Sequence, residues 1–339
     1  MSVTVRDVAR AAGVSLGTVS NVLNNAQTVA PENVAKVQAA IKQLGFVRND
    51  AARQLRAGRS RSIGLIVQDV RNPFFADLAR GAEDAAMENR LGILVADSDE
   101  SQDREKLLLG LFEEQRVLGV LVTPVEESLG YLVEMKKRGS AVVVVDRKSN
   151  DKSISSVSVD DAAGGQLAVE HLIDTGRSRI AFAGGPIGDK QIGERLDGAK
   201  KAADANPNVS FEIMPTSNLT VLEGRRIGQE IIAREAKSRP DAVFAANDLL
   251  AIGILQAVLM SGELTIPKDF ALIGYDDIWF AETAIVPLST VRQPSTEIGL
   301  HAVKLLIEEA DSDGAAHPQQ IVFQPALVIR DSTSPTNHL

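Results

Sequence analysis

Several residue types are scarce or missing in this sequence, and each absence removes a class of function. The chain has no cysteine, which excludes a disulfide framework, a thiolate nucleophile and a cysteine-based zinc site. Its four histidines lack the spacing of metal ligands, so we expect no metal or cofactor. No apolar run approaches the ~20 residues of a membrane span, and the N-terminus lacks a signal-peptide pattern. The sequence therefore predicts a cytoplasmic protein that makes no contact with a membrane.

Positive charge is scarce except near the N-terminus. Residues 1–62 contain nine Lys and Arg against three Asp and Glu, a balance of +6, and the whole chain carries −9. Residues 63–339 therefore carry −15. A basic segment suits the phosphate backbone of DNA, and an acidic body stays away from it. The alternative, an ordinary solvated basic surface, is less favoured because the same residues carry a helical motif.

That motif consists of three helical patterns. The first ends at Gly13, Ser15 is a good N-cap for the second, and the third runs from Pro31 to Gly45. Apolar residues at helical spacing predict the buried faces: Val5, Val8, Ala9, Ala12, Val19, Val22, Leu23, Val34, Val37, Ile41 and Leu44. The second helix then turns outward the candidates for DNA contact, which are Leu16, Gly17, Thr18, Ser20 and Asn21. The pattern predicts a helix-turn-helix.

A short amphipathic segment, residues 46–58, follows this motif. Asn49 is its candidate cap, and Leu55 is its one projecting apolar residue. So short a helix is marginal alone, and a leucine flanked by arginines suits a wedge for a minor-groove base step. The alternative is a linker helix whose Leu55 packs against the rest of the protein.

From residue 63 onward, short β-branched runs alternate with helical patterns, which is typical of parallel α/β sheets. The predicted strands are residues 63–67, 92–96, 119–123, 141–145, 156–159, 179–183, 211–214, 242–245 and 271–275. The first predicted helices are residues 75–89, 103–115 and 127–138. A break at residues 147–153 divides the pattern, so we expect two α/β lobes.

Polar side chains follow many of these strands, where parallel sheets bind ligands. Amide, carboxylate and guanidinium groups beside an aromatic pair suit a sugar, whose hydroxyls donate and accept and whose C–H faces stack on rings. Each residue also has a structural interpretation. Asn72 and Asn247 suit helix caps, Asp276 suits a turn, and Arg195 suits a surface ion pair.

Two other classes of protein compete with a DNA-binding regulator. Residues 184–188, Gly-Gly-Pro-Ile-Gly, follow a strand as in nucleotide-binding enzymes. Their spacing does not match G-x-G-x-x-G and no catalytic constellation accompanies them, so we expect no enzyme. The body alone fits a solute-binding transport protein, against which the basic helical segment and the missing export signal argue.

On the motif Thr4-Val-Arg-Asp-Val-Ala9, Gly13-Val-Ser15, Thr18-Val-Ser20 and Val22-Leu-Asn24, nearly the whole chain resembles the LacI/GalR family of transcriptional repressors. The resemblance implies a small all-α helix-turn-helix head plus an α/β core of two doubly wound parallel-sheet lobes of the periplasmic-binding-protein type. It implies a DNA-binding domain at 1–47, a hinge at 48–61 and a ligand-binding and dimerisation core at 62–339. The lobes would comprise 62–157 with 290–317 and 158–289 with 318–339, with crossings near 158, 289 and 318.

The resemblance also assigns DNA contacts. It places Leu16, Gly17 and Asn21 at base-reading positions, Thr18 and Ser20 near phosphates, and Leu55 in the minor groove. Further DNA contacts are expected at Thr4, Ser15, Asn24, Asn49 and Ala52. Many family members carry a longer side chain in place of Gly17, and Arg is frequent in place of Asn21. Since Asn pairs with adenine and Arg prefers guanine, a shifted operator half-site is expected.

The implied ligand site resembles that of ribose-binding proteins and ribose-type repressors. It comprises Asn72, Phe74, Phe75, Asp146, Arg147, Arg195, Leu219, Asn247, Asp276 and Gln293. Leu219 stands near the position where relatives place an aromatic lid, for which Trp279 is either a substitute or a packing residue. The expected protein is a homodimeric repressor of palindromic operator DNA, controlled by ribose or a related pentose. A nucleoside or purine effector of the same family is the alternative, and a solute-binding protein is less favoured. The sequence does not decide whether the effector is an inducer or a corepressor. It contains no long heptad segment of the kind that would predict a tetramer.

Overall fold

The structure is a computed structural model that describes residues 3–47, 60–125, 129–312 and 317–334. It forms two compact units, which divide between Ser60 and Arg61. Asn49, Ala52 and Leu55 lie outside the described residues, as does nearly all of the expected hinge. Within the described ranges, no helix combines the length and apolar character needed to cross a bilayer.

The N-terminal unit contains three α-helices, as predicted. Their bounds are α1 Val5–Ala12, α2 Leu16–Asn25 and α3 Pro31–Leu44, and a 3₁₀ turn occupies Ala26–Thr28. Gly13 and Gly45 end α1 and α3 in the left-handed region, with φ of 65° and 61°, where glycine avoids steric strain. Thr4 and Asp7 form a capping box on α1, and the Ser15 hydroxyl caps α2.

A small core holds the three helices together. Val8, Val19 and Val37, one from each helix, are fully buried. The rest of the core consists of Ala9, Val22, Ala40 and Phe46 together with partly buried neighbours. The predicted apolar residues of α1, α2 and α3 supply most of these side chains, although Ala40 and Phe46 were not among them. Because the apolar side of α2 packs against this core, its other face is open to solvent.

The second unit alternates strands and helices. The strands are β1 Ser62–Val67, β2 Gly92–Asp97, β3 Gly119–Val122, β4 Ala141–Val145, β5 Ser155–Val159, β6 Arg179–Gly184, β7 Ser210–Pro215, β8 Ala242–Ala245, β9 Ala271–Asp276, β10 Ser289–Arg292, β11 Gln320–Phe323 and β12 Ala326–Val328. The helices are α4 Pro73–Glu88, α5 Gln102–Glu114, α6 Gly130–Lys137, α7 Asp161–Asp174, α8 Lys190–Asp204, α9 Val221–Ala233, α10 Asp248–Ser261, α11 Trp279–Thr283 and α12 Ser295–Asp311. All nine predicted strands are present, with ends displaced by about one residue.

These strands form two six-stranded sheets, so the predicted two-lobed α/β core is confirmed. The first sheet has the order β11-β5-β4-β3-β1-β2 and the second β12-β10-β9-β8-β6-β7. All pairings are parallel except that of β12 with β10. The inner strands of both sheets are mostly buried because helices cover the sheets, as in other doubly wound folds, whereas the edge strands β2, β7, β11 and β12 are partly exposed.

The chain passes between the two sheets three times, after β5, after β10 and after β11. The first crossing agrees with the expected position near residue 158. The other two lie a few residues later than expected, because β10 pairs with β9 in the second sheet and β11 pairs with β5 in the first. The division into head, hinge and core at residues 47 and 61 stays a prediction.

Two helices on the second sheet, α7 and α8, meet through glycines. A Cβ atom at Gly198 would lie 1.9 Å from the Ala162 carbonyl oxygen, and one at Gly165 would lie 1.9 Å from the Arg195 carbonyl oxygen. No side chain fits at such distances, so glycine sets the separation of the helices. This close approach also fixes the backbone from which Arg195 projects.

We predict that Gly198→Ala lowers the free energy of unfolding by about 1–3 kcal/mol, because the new methyl group overpacks α7 against α8. Gly193→Ala is the matched control on the same helix, since its nearest new contact is 3.5 Å away. The control should keep or raise stability by up to about 1 kcal/mol through better helix propensity. Urea denaturation of both variants measures the difference, and equal effects would contradict this packing account.

Candidate functional site

A cavity of about 300 Å³ opens at the carboxyl ends of strands from both sheets of the second unit. This volume lies at the lower end of the range for small-molecule sites. The first lobe contributes the residues that follow β1, β2 and β4, and the second contributes those that follow β6, β7, β8 and β10, together with Asp276 at the end of β9. The cavity therefore lies at the strand ends, where the sequence predicted the ligand residues.

Nine of the ten predicted ligand residues line this cavity. They are Asn72, Phe74, Phe75, Asp146, Arg195, Leu219, Asn247, Asp276 and Gln293. Arg147 is not on the wall, and its buried guanidinium instead donates to the Pro124 carbonyl at 3.2 Å. The structure thus brings nine side chains together, and their roles in binding stay predictions.

Several wall residues were not singled out from the sequence. Asp99 and Glu100 follow β2, Gln191 begins α8, and Asn218 and Thr220 follow β7. The rule that ligands lie past strand ends would have found most of them had it been applied to β2 and β7. These are the edge strands next to β1 and β6 in the two sheets.

Two of the wall asparagines, Asn72 and Asn247, are helix caps, as their structural interpretation proposed, and they do more than cap. Asn72 Oδ1 accepts from the Phe74 N–H at 3.1 Å, while its Nδ2 lies 3.5 Å from Asp276 Oδ2. Asn247 Oδ1 accepts from the Leu250 N–H at 2.8 Å, while its Nδ2 donates to the Leu219 carbonyl. Capping fixes each amide where it faces the cavity.

Arg195 is buried, so its interpretation as a surface ion-pair partner was wrong. Its Nε donates to Asp161 Oδ1 at 2.7 Å and its Nη1 to the Ala246 carbonyl at 2.7 Å. The guanidinium carbon lies 3.7 Å from the centre of the Tyr275 ring, a cation–π contact. Burial raises the pKa of Asp161, and the neighbouring charge of Arg195 opposes that rise. This ion pair is part of the second lobe's interior.

Two further buried carboxylates face the same region. Burial raises the pKa of Asp276 to about 6, although Arg195 and the hydrogen bond from Gln293 oppose the rise. Burial also raises the pKa of Asp146 well above its ordinary value, and the charge of Asp161 adds to this. Both carboxylates sit on left-handed backbone, with φ of 66° at Asp146 and 110° at Asp276. Such strain in non-glycine residues is typical of binding sites.

Three buried acceptor atoms on the wall have no hydrogen-bond partner among the described residues. They are Asp146 Oδ1, Gln191 Oε1 and Gln293 Oε1. The other ends of these groups are engaged, since Gln191 Nε2 donates to Asp146 Oδ2 at 3.0 Å and Gln293 Nε2 to Asp276 Oδ1 at 2.8 Å. A buried acceptor without a donor is costly, so the wall suits a ligand with several donors.

The apolar part of the wall comes from Phe74 and Phe75, whose rings pack edge to face with centroids 5.1 Å apart. Trp279 is absent from the wall as far as the described residues show, and it stacks on Phe280 with 59% of its surface exposed. Leu219 is therefore not replaced by Trp279 as an aromatic cover. Nowhere in the described ranges do three or more His, Asp or Glu side chains form a group that could hold a metal ion.

The predicted DNA contacts of the N-terminal unit fall into two kinds. Leu16, Gly17 and Asn21 are exposed on α2, with Leu16 at 48%. The others are partly exposed or occupied by local bonds: Thr4 and Ser15 cap helices, Thr18 contacts Ser15, and Asn24 Nδ2 donates to the Ser20 carbonyl. An exposed apolar side chain beside an amide at a helix N-terminal half suits base-edge contacts in a major groove.

Known proteins resemble this chain along its whole length. The model of the bacterial regulatory proteins of the lacI family matches residues 4–49, and that of the periplasmic binding protein-like domain matches residues 169–333. The ribose operon repressor of Escherichia coli K12 is 33% identical over 97% of this chain and 99% of its own. The repressor PurR of Aliivibrio fischeri is 31% identical over 98% of both. A crystal structure of the lac repressor dimer bound to operator and the anti-inducer ONPF matches with a TM-score of 0.85, at 26% identity over 98% of this chain and 99% of that one.

We predict that Asp276→Asn stabilises the ligand-free protein at pH 7. The folded pKa of about 6 exceeds the ordinary value of 3.8, so protonated Asp276 favours folding, and this contribution disappears as the pH rises through 6. Asn removes a cost of up to about 3 kcal/mol at pH 7, and its benefit shrinks between pH 6 and pH 4.

Asp277→Asn is the matched control for this change. Asp277 accepts from Arg292 at 2.6 Å and lies 2.8 Å from Arg330, so neutralising it should destabilise the fold. Thermal unfolding of both variants between pH 4 and pH 8 measures the contrast. Destabilisation by Asp276→Asn at pH 7 would show that its charge is already compensated.

Proposed function

The chain belongs to the LacI family of bacterial regulatory proteins, and on this basis we propose that a small sugar, ribose or a related pentose, controls its affinity for operator DNA. The general function follows from membership of the family: the chain is a DNA-binding transcriptional repressor with a sugar-binding domain. We also propose that it is a homodimer on a palindromic operator and is not an enzyme. The relatives named above are repressors, and one was crystallised as an operator-bound dimer.

The unpartnered acceptors of the cavity carry the ligand proposal. Asp146 Oδ1, Gln191 Oε1 and Gln293 Oε1 need donors, and vicinal hydroxyls supply several within a small volume. The rings of Phe74 and Phe75 offer an apolar surface to the C–H groups of a sugar. A volume of about 300 Å³ suits one monosaccharide better than a chain of them. The name of the Escherichia coli relative, a ribose operon repressor, favours a pentose.

A nucleoside or purine is the second candidate effector. The relative PurR is almost as similar as the ribose repressor, and an aromatic pair on a cavity wall also suits a base. The unpartnered acceptors disfavour a free purine base, which has fewer donors than a sugar, whereas a nucleoside carries the hydroxyls of its own ribose and stays a candidate.

We further propose that the exposed side of α2 reads operator bases. Leu16, Gly17 and Asn21 are open to solvent, whereas Val19 and Val22 hold the helix against the core. Helix-turn-helix proteins present the N-terminal part of their second helix to the major groove, and dimers read two half-sites about one turn apart. Gly17 offers no side chain to a base, so Leu16 and Asn21 carry the readout.

We predict that Asn21→Arg changes base preference without changing the fold. Asn pairs with adenine N6 and N7, whereas Arg pairs with guanine O6 and N7, and each bidentate pair discriminates by about 1–3 kcal/mol. Selection of binding sites from a randomised operator should give adenine at one half-site position for the natural protein and guanine for the variant. The same preference in both would exclude Asn21 from base readout.

Control of DNA binding requires the cavity and the operator to influence each other. In the proposed mechanism, ligand closes the two lobes around the cavity and disfavours the arrangement of the dimer in which both heads fit the operator. The resulting loss of operator affinity equals the coupling free energy between the sites, and the coupling is reciprocal. We propose release, so the ligand acts as inducer. Residues 48–61 are proposed to transmit the change as a hinge.

We predict that D-ribose weakens operator binding in a gel-shift titration and that Asp146→Asn shifts this response to higher ribose concentrations. Asn is isosteric but cannot accept through both oxygens, so one charge-assisted hydrogen bond, worth about 1.5–3 kcal/mol, is lost. The variant should bind operator normally and require about 10–100 times more ribose. Asp204→Asn, an exposed position at the end of α8, is the control and should respond normally.

Stronger operator binding in the presence of ribose would reverse the proposed sign and make the ligand a corepressor. No effect of ribose, together with a response to a purine or nucleoside, would favour the second candidate.

A further inference from the structure

The cavity wall carries much more negative than positive charge. Six carboxylates lie on the described part of the wall, namely Asp69, Asp99, Glu100, Asp146, Asp189 and Asp276, and two cations, Arg71 and Arg195, lie there with them. We infer that the cavity selects an uncharged polyhydroxyl compound and rejects the phosphorylated or carboxylated form of the same compound. This inference rests on the proposed function, because it concerns the effector of that site.

Both wall cations are already bound to carboxylates. Arg71 Nε donates to Asp69 at 2.7 Å and its Nη2 to Asp99 at 3.2 Å. Arg195 is held by Asp161 and by the Ala246 carbonyl. Phosphate and carboxylate ligands are usually bound by free Arg or Lys forks. An anion in this cavity would have to compete with internal carboxylates for each guanidinium.

The helix N-termini at the wall are partly occupied as well. An open helix N-terminus binds phosphate through its free N–H groups. Here α4, α8, α9 and α10 all begin at the wall, and each donates a first-turn N–H to its own capping side chain: Asn72, Asp189, Thr220 and Asn247. At α8 the cap is a carboxylate, which receives the N–H groups of Gln191 and Ile192. Each cap therefore occupies an N–H group that an anion would need, and at α8 the cap also adds a negative charge.

The excess negative charge comes from both lobes. Glu100 belongs to the first lobe and Asp189 to the second, and burial together with the charges of Asp189 and Asp69 raises the pKa of Glu100. The same carboxylates that repel an anion accept hydrogen bonds from hydroxyl groups, which neutral sugars supply. Charge thus separates neutral sugars from sugar phosphates that have the same hydroxyl pattern.

The test compares matched pairs of compounds with the full-length protein at pH 8, above the pKa of about 6 of Asp276. The pairs are D-ribose with D-ribose 5-phosphate, D-ribose with D-ribonate, and adenosine with adenosine monophosphate. Affinity is measured by calorimetry, with competition against the bound neutral compound for weak anions. We expect one neutral compound to bind and its anionic partner to bind at least about 100-fold more weakly.

Equal or tighter binding of an anionic partner would overturn the inference and leave an effector-controlled repressor intact. Binding by no neutral compound of the panel would overturn both the inference and the proposed pentose or nucleoside effector. These two failures are therefore distinguishable.

A variant shows whether wall charge is the cause. Glu100→Gln with Asp189→Asn removes two negative charges, and Asn at position 189 remains a good N-cap. The ratio of ribose 5-phosphate to ribose affinity should rise roughly threefold or more, and most at low salt. The control, Asp204→Asn on the exposed end of the same helix, should leave the ratio unchanged. An unchanged ratio in the double variant would overturn the electrostatic explanation.

Discussion

One buried guanidinium among three buried carboxylates is the interaction on which the site depends. Arg195 neutralises Asp161 directly at 2.7 Å, and it is the positive charge that opposes the pKa rise of Asp146 and Asp276. One cation cannot fully compensate three ionised carboxylates, so the pKa of Asp146 and Asp276 stays raised, and acceptor atoms such as Asp146 Oδ1 stay unpaired among the described residues. A ligand rich in hydroxyl donors completes this arrangement, and its binding free energy comes from acceptors that the fold has already desolvated and oriented.

The fold places this cluster where two lobes meet. Asp146 directly follows β4 of the first sheet, while Asp276 ends β9 of the second and accepts a hydrogen bond from Gln293 beyond β10. Asn72 of the first lobe reaches Asp276 of the second at 3.5 Å, so the lobes share a polar contact beside the cavity. A ligand that bonds to both carboxylates therefore favours one arrangement of the lobes over others, which is what a switch requires.

Local sequence signals predicted most of the fold. Ser15, Pro31 and the two glycines mark helix ends by local chemistry, and β-branched runs mark the central strands. Strands β10–β12 were not predicted, because they are short and are defined by pairing with distant partners. In the site, the position after a strand predicted which residues gather. That position could not show that Arg195 faces the cavity and pairs with Asp161, or that Arg147 donates to the Pro124 carbonyl. Those contacts arise from tertiary packing.

In the proposed mechanism, ligand hydroxyls donate hydrogen bonds to the ionised forms of carboxylates whose pKa burial has raised. A ligand that favours the charged form lowers the pKa of Asp276 from about 6, so binding near pH 6 must release protons. Calorimetric titration of the ligand-free protein with D-ribose at pH 6, in buffers of different ionisation enthalpy, measures this directly. We expect release of up to about half a proton, which is the fraction that Asp276 binds when the pH equals its pKa, and a release that falls towards zero at pH 8. Proton uptake, or binding without proton exchange at pH 6, would contradict it.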